Sequence, residues 1–90
     1  MITKTLTITN GAGLHARPAQ LFVQTANRFQ ARITVRKADG RAVDGKSILG
    51  LMSLAVGPGE AITVEADGPD AAAAVDALAD LVAKKFGEDQ

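Results

Sequence analysis

Two side chains near the amino terminus have the types and the spacing for chemistry on an anion. His15 is the single histidine of the 90-residue chain, and Arg17 follows two residues later. A histidine is largely neutral near neutral pH, so a ring nitrogen can act as a nucleophile. The guanidinium of an arginine is a forked donor that matches the oxygens of a phosphate. The pair therefore indicates a histidine that accepts a phosphoryl group.

The local sequence places this pair at the start of a helix. Gly11 and Gly13 favour a loop, and Pro18 is tolerated only in the first turn of a helix. We therefore expect the helix to begin near residues 15–16. The first N–H groups of a helix have no partner within it and lie at the positive end of its dipole. A phosphoryl group on His15 would meet an anion site there.

A lone histidine such as His15 can have roles other than accepting a phosphoryl group. Without further context, a lone histidine beside a helix start is best explained as a polar cap or as a solvated loop residue. The chain has no cysteine and no second histidine, so one chain cannot assemble a nitrogen and sulfur ligand set for a metal. No serine lies near His15 in the sequence, so a hydrolytic triad would depend on the fold to supply one. We expect neither a metal nor a cofactor.

Composition restricts the class of protein. We expect residues 1–90 to form a single domain with one core, because hydrophobic residues make up 47% of the chain and charged residues 22%. A formal net charge of zero leaves no broad basic surface for nucleic acid or for an anionic membrane. Aromatic residues are 3% of the chain, with no Trp or Tyr, which argues against stacking on single-stranded RNA.

The expected location is the cytoplasm. Residues 1–10 are threonine-rich and alternating, unlike a signal peptide, and no segment approaches the ~20 apolar residues that span a bilayer. The absence of cysteine fits a reducing compartment. We expect no membrane partner, no nucleic-acid partner, and a monomer.

Hydrophobic periodicity predicts seven elements in the order βαββαβα. Apolar residues alternate in the predicted strands and recur at three- and four-residue steps in the predicted helices. The strands are predicted at residues 2–9, 31–36, 41–43 and 60–66, and the helices at residues 16–29, 48–54 and 71–86. Ser47 is the expected N-cap of the second helix, and Asp70 precedes the third. The fold class is α+β, with a four-stranded, mainly antiparallel sheet and three helices on one face.

Two segments, GLHARPA over residues 13–19 and GKSILGLMSL over residues 45–54, match the signatures of a known family. They resemble the active-site signature and the serine-bearing second helix of the HPr family, the histidine-containing phosphocarriers of the bacterial phosphoenolpyruvate-dependent phosphotransferase system. The resemblance covers essentially the whole chain, apart from an added residue in the turn at residues 38–40 relative to some members. It implies an open-faced β-sandwich.

The resemblance also implies a function. Nδ1 of His15 would take a phosphoryl group from phosphorylated enzyme I and pass it to a histidine of an enzyme IIA, in the service of sugar uptake. Arg17 would assist, and the backbone N–H groups of Ala16 and Arg17 would hold the group. A helix terminus contributes about 0.3 to 1 kcal/mol and a charged hydrogen bond about 1.5 to 3 kcal/mol. These energies are modest, which suits a carrier that has to release the phosphoryl group again. Such a carrier works within a relay and is not a self-sufficient enzyme.

Ser47 matches the regulatory serine of the family, which in some bacteria is phosphorylated by an ATP-dependent HPr kinase. Serine is also a favoured N-cap, and that role explains its presence without any regulation. We favour the cap.

An apolar patch is also implied near His15. Ile48, Leu49 and Met52 match the surface through which the family docks its partners, and Gln20 of the first helix is assigned to the same surface. Packing within the core is the alternative for the apolar residues. We assign Leu49 and Met52 to docking, and the other two leucines of this helix, Leu51 and Leu54, to the core.

A regulatory interaction module is the alternative function. The segment FGED at residues 86–89 is similar to paralogues of nitrogen-related phosphotransferase chains (NPr-like), which would be controlled through His15 and Ser47. The same surface would then bind HPr kinase or a transcriptional regulator. A phosphate- or nucleotide-binding domain without turnover is a further alternative, but the chain lacks the glycine-rich loop with lysine that such domains use.

Overall fold

The computed structural model describes residues 1–87, and its elements follow the expected order. They are β1 (Ile2–Thr7), α1 (Ala16–Ala26), β2 (Arg32–Lys37), β3 (Ala42–Asp44), α2 (Ile48–Ser53), β4 (Ala61–Asp67) and α3 (Ala71–Ala83), with a short 3₁₀ turn at Lys85–Gly87. The predicted α+β class is confirmed. No helix in the described part of the chain is long and apolar enough to cross a membrane.

The four strands form one sheet in the order β1-β4-β2-β3, and every neighbouring pair is antiparallel. In the register of this sheet Leu6 lies opposite Ile62, and Val35 lies between Val64 and Val43. Because side chains alternate between the two faces of a strand, these apolar residues share the inner face. The helices cover that face.

The core lies between the inner face of the sheet and the helices. Each helix contributes a fully buried side chain, namely Phe22 from α1, Leu51 from α2 and Leu78 from α3. A large apolar side chain buried in this way contributes about 1.5 to 3 kcal/mol before the loss of conformational entropy is subtracted. Packing therefore fixes the positions of α1 and α2, the two helices that carry the candidate site.

The outer face of the sheet is polar, and no helix within residues 1–87 covers it. Thr5 and Thr63 lie opposite each other with their hydroxyl oxygens 3.4 Å apart. Arg36 donates to both carboxylate oxygens of Glu65 at 3.3 and 3.4 Å. The small and paired polar side chains keep this face in water.

Two predicted helix ends were wrong. The first helix ends at Ala26, and Phe29 lies in the following turn, where its N–H bonds the carbonyl of Ala26 at 3.2 Å and its carbonyl accepts Nζ of Lys46 at 2.8 Å. The third helix ends at Ala83. Phe86 is buried as expected, but it reaches the core from a residue with φ +56°, outside the helix.

Strand ends differ by a residue or two from the prediction. The first strand ends at Thr7, although Ile8 beyond it is buried and donates its N–H to the carbonyl of Glu60 at 2.9 Å. The predicted hairpin is confirmed, with a loop at residues 38–40 in which Gly40 has φ +93°. Of the segment at residues 86–89, residues 88 and 89 lie outside the described part of the chain.

Candidate functional site

His15 lies at the start of α1, as predicted. Its backbone is extended (φ −93°, ψ −170°), and its carbonyl accepts the N–H of Ala19 at 2.9 Å, the first hydrogen bond of the helix. The side chain is exposed and makes no capping hydrogen bond. The interpretation of His15 as a side-chain cap is therefore wrong, and its imidazole faces solvent.

The first turn of α1 presents backbone donors beside His15. Ala16 and Arg17 occupy the first two helical positions and are exposed, and the buried Pro18 follows. The first N–H groups of a helix have no partner within it, and proline has none to offer. The backbone N–H groups of Ala16 and Arg17 are thus donors at this end of the helix. The arrangement can hold an anion.

A close backbone contact fixes the loop in front of His15. The N–H of Leu14 donates to the carbonyl of Val56 at 2.9 Å, and the Leu14 side chain is buried. Gly13 has φ +66°, and a Cβ atom at this position would lie 2.4 Å from the Val56 carbonyl oxygen. Glycine is therefore required at position 13 both by the backbone conformation and by the space.

Asn10 closes the same loop from the inside. This buried side chain donates Nδ2 to the carbonyl of Gly13 at 2.9 Å, and the N–H of Gly13 donates to the carbonyl of Asn10 at 3.2 Å. This structural role of Asn10 was not predicted from the sequence. An asparagine directly before a Gly-Ala-Gly turn was the available signal, because asparagine side chains commonly bond backbone groups nearby in turns.

The expected docking surface is exposed. Leu49 is 80% exposed, Met52 40% and Ile48 38%, whereas Leu51 of α2 and Leu54, which directly follows the helix, are buried. The predicted division of this helix into an outer and an inner face is thus confirmed. Gln20 is exposed on α1, three residues after Arg17 and on the same helical face. The helices α1 and α2 pack against each other. That Gln20 and the exposed residues of α2 form one docking surface stays a prediction.

Ser47 is the N-cap of α2. Its Oγ accepts the N–H of Gly50 at 3.0 Å, and its backbone is extended (φ −118°, ψ 114°). The predicted cap is confirmed, and the side chain is partly exposed. Phosphorylation of Ser47 stays a prediction.

Two cations that were not predicted from the sequence lie at the carboxyl end of α2. Lys37 donates Nζ to the Leu54 carbonyl at 2.9 Å, and Arg41 donates to the same oxygen at 3.4 Å. The alternation of Ile33 and Val35 on the inner face was the signal, because it directs Lys37 to that face as well. Cations are favourable at this end of a helix.

A turn at residues 57–60 lies beyond α2. The N–H of Gly57 donates to Oε2 of Glu60 at 2.7 Å, and the N–H of Glu60 donates to the carbonyl of Gly57 at 3.2 Å. The Gly57 N–H is the principal cause that lowers the pKa of the Glu60 carboxyl, and the charge of Lys37 lowers that pKa further. Glu60 is therefore held as a carboxylate beside the loop that carries His15.

The fold and the site together define a small α+β protein, an open-faced sandwich with an exposed histidine at the start of its first helix. Residues 2–84 match the family model described as "PTS HPr component phosphorylation site". The chain belongs to the HPr family of the phosphotransferase system.

Relatives of known function cover nearly the whole chain. It is 46% identical over 88 residues to the phosphocarrier protein HPr of Cupriavidus necator, covering 98% of both proteins. It is 48% identical to the phosphocarrier protein HPr of Neisseria meningitidis serogroup A, with the same coverage. The crystal structure of HPr-C-His from Thermoanaerobacter tengcongensis superimposes with a TM-score of 0.95, at 48% identity and with complete coverage of both chains.

Proposed function

We propose that this chain carries phosphoryl groups from phosphorylated enzyme I to an enzyme IIA, in the cytoplasm, with His15 as the carrier residue. The observation that carries this proposal is the exposed imidazole of His15 at the start of α1, with no capping bond and with the donors of Ala16 and Arg17 beside it. Membership of the HPr family supports phosphorylation of this chain, because the family model is described as a phosphorylation site.

In the proposed transfer the lone pair of Nδ1 attacks phosphorus. A nitrogen–phosphorus bond forms on His15 as the bond between phosphorus and enzyme I breaks, and the ring proton remains on Nε2. The N–H groups of Ala16 and Arg17 and the Arg17 guanidinium stabilise the phosphoryl oxygens. Transfer to a histidine of enzyme IIA repeats these events with His15 as the leaving group. Since no group of the chain is consumed, His15 returns to its starting state.

The partners meet the surface formed by α1 and α2. Enzyme I and enzyme IIA bind one after the other, so both use the same exposed residues. These are Gln20, Ile48, Leu49 and Met52. Exposed apolar side chains on a helix that packs against α1 provide contact area that becomes buried on docking.

The chain acts as a monomer in this proposal. One structural neighbour is a crystal structure of an HPr dimer from Thermoanaerobacter tengcongensis, with a TM-score of 0.78 and 50% identity, covering 98% of this chain and 100% of that one. The oligomeric state is tested by analytical ultracentrifugation of the purified chain, at the concentrations used in the transfer assay.

Labelling by a purified enzyme I tests the carrier function. With radiolabelled phosphoenolpyruvate, the parent chain should gain one phosphoryl group that is labile to acid and stable to base. His15→Ala should gain none. Thr63→Ala, on the outer face of the sheet, is the control variant and should be labelled like the parent. Equal labelling of His15→Ala and the parent would refute the assignment.

A further inference from the structure

We propose that Lys37 is a positioning residue for phosphoryl transfer, acting from the end of β2 through the turn at residues 57–60 on the loop in front of His15. Nothing in the HPr signatures assigns a role to this lysine. The inference rests on the proposed function of His15, and it adds a residue far from the helix start to the groups that set the geometry of transfer.

The ammonium of Lys37 is surrounded by acceptors. Its Nζ donates to the carbonyl of Leu54 at 2.9 Å and to that of Ala55 at 3.5 Å, and it lies 3.6 Å from Oε1 of Glu60. The ammonium thus donates to two backbone carbonyls and forms an ion pair with a carboxylate. The side chain is 16% exposed, which is low for a lysine. The lysine thus joins the sheet to two segments at once.

The first of these segments is the carboxyl end of α2. Ala55 follows the last turn of this helix with φ +53°, a left-handed conformation that an alanine rarely adopts. The Leu54 and Ala55 carbonyls, which the helix itself leaves without partners, point at the Lys37 ammonium. The lysine therefore stabilises the unusual path by which the chain leaves α2.

The second segment is the turn at residues 57–60. Glu60 bonds Gly57 through both its side chain and its backbone, and its second carboxylate oxygen faces Lys37. The carbonyl of Glu60 accepts the N–H of Ile8 at 2.9 Å, and the N–H of Gly59 donates to the carbonyl of Ile8 at 2.7 Å. One end of the loop that leads to His15 is therefore fixed to this turn.

The other end of that loop is fixed to Val56. The carbonyl of Val56 lies between Ala55, which Lys37 contacts, and Gly57, which Glu60 contacts, and it accepts the N–H of Leu14 at 2.9 Å. Leu14 directly precedes His15. Lys37 thus acts on His15 indirectly, through the backbone at Val56 and Leu14. It sets the placement of His15 relative to the docking residues of α2.

Lys37→Met tests this role, because methionine keeps an unbranched apolar side chain but removes the charge and all three donors. The exchange of the Leu14 amide hydrogen, measured by NMR, should become at least tenfold faster. The kcat for phosphorylation by enzyme I should fall at least threefold. The KM for the chain should change less than twofold, because the docking side chains are unaltered. A lysine that only stabilised the fold would lower the melting temperature without this division between kcat and KM.

Arg36→Met is the matched control. Arg36 is the neighbouring residue on β2, but it points to the outer face and pairs with Glu65 at 3.3 Å. Its substitution removes a cation and an ion pair from the same strand. The exchange of the Leu14 amide and the kcat should stay at the parental values.

Lys37→Arg is the conservative variant of the tested residue. It keeps the charge and the donors, so its kcat should be much closer to that of the parent than the kcat of Lys37→Met is.

Glu60→Gln provides a second test if Lys37→Met does not fold. Glutamine keeps an oxygen for the N–H of Gly57 but removes the charge that faces Lys37. The exchange of the Leu14 amide should therefore become faster and the kcat should fall, both by less than in Lys37→Met. Parental exchange of the Leu14 amide in the folded variant would overturn the inference. A parental kcat of that variant would also overturn it, provided that the parent chain is labelled on His15. A parent that is not labelled would instead refute the proposed function, and the exchange of the Leu14 amide would still decide the role of Lys37.

Discussion

The carboxylate of Asp70 accepts the backbone N–H of Ala31 at 2.9 Å, although the two residues are 39 positions apart in the sequence. Its other oxygen accepts the N–H of Gln30, also at 2.9 Å. The start of α3 is thereby joined to the connection between α1 and β2. The N–H of Gln30 is the principal cause that lowers the pKa of Asp70, and the N–H of Ala31 contributes in the same direction.

This relationship predicts a pH-dependent contribution of Asp70 to stability. Asparagine has one oxygen where the two donors need two, so Asp70→Asn should lower the free energy of unfolding at pH 7. The pKa of Asp70 in the folded chain lies below its ordinary value of 3.8. The contribution should therefore be complete above about that pH and disappear as the pH falls from there through the lower, folded-state pKa.

Urea unfolding of Asp70→Asn and the parent between pH 7 and pH 2 measures this difference. Asp76→Asn, which changes an exposed aspartate of the same helix, is the control. A difference between Asp70→Asn and the parent that did not vary with pH would show that the charge of Asp70 is unimportant.

Gly13→Ala should damage both stability and transfer. A left-handed backbone costs an alanine about 1 to 2 kcal/mol, and the added Cβ would also meet the Val56 carbonyl oxygen at 2.4 Å. Gly59→Ala is a matched control, since Gly59 has φ +86° with nothing within 4 Å of the added atom. Chemical denaturation should show a clearly larger loss for Gly13→Ala. Equal losses would mean that the close contact with Val56 is unimportant.

Arg17→Lys should slow phosphorylation without weakening the fold. Lysine keeps the charge but lacks the forked pair of donors, and the exposed position of Arg17 gives it little part in packing. Stopped-flow or quenched-flow transfer from enzyme I, with thermal unfolding measured alongside, separates the two effects. A large fall in melting temperature at a parental rate would show that Arg17 is a structural residue.

Leu49→Glu should weaken docking and leave the fold intact. The side chain is 80% exposed, so its replacement should change the free energy of unfolding by less than about 0.5 kcal/mol. Buried Leu51 of the same helix gives the comparison, because Leu51→Ala should cost about 2 to 5 kcal/mol. The KM for enzyme I should rise in Leu49→Glu. Unfolding of this variant would contradict the docking role.

Ser47 should contribute to stability as a cap and to transfer through its charge state. Ser47→Ala removes the bond to Gly50 and should cost about 0.5 to 2 kcal/mol. Ser47→Asp keeps a capping oxygen and should be at least as stable as the parent, yet accept phosphate more slowly, because it places charge beside the docking residues. Thermal unfolding and labelling by enzyme I measure the two effects. Labelling at the parental rate by a chain phosphorylated on Ser47 would remove the regulatory role.

Local chemistry in the sequence predicted the start of α1 and the cap of α2. Pro18 restricts where a helix can start, because proline is tolerated only in the first turn. Ser47 favours an N-cap, because its short side chain can accept a backbone N–H of the first turn. Alternation likewise predicted the inner faces of the strands, because each apolar position has to be buried on the same side.

Contacts between distant segments could not be predicted in this way. Phe29 was assigned to α1 by its spacing, but the chain leaves the helix earlier, where Asp70 and Lys46 bind the backbone of the connection. Phe86 has the helical spacing and is buried, yet it depends on left-handed backbone at Lys85 and at Phe86 itself, which neither residue type favours. The contact of Lys37 with the end of α2 depends on how the sheet packs against the helix, which the sequence pattern does not give.

The polar outer face of the sheet has a practical consequence. The chain contains no cysteine, so Thr5→Cys on this exposed face would introduce a unique thiol. A fluorophore or a surface tether attached there would be separated from α1 and α2 by the thickness of the sheet. The chain could then be immobilised in one defined orientation, with its helices directed towards enzymes arriving from solution, for single-molecule or biosensor measurements of docking.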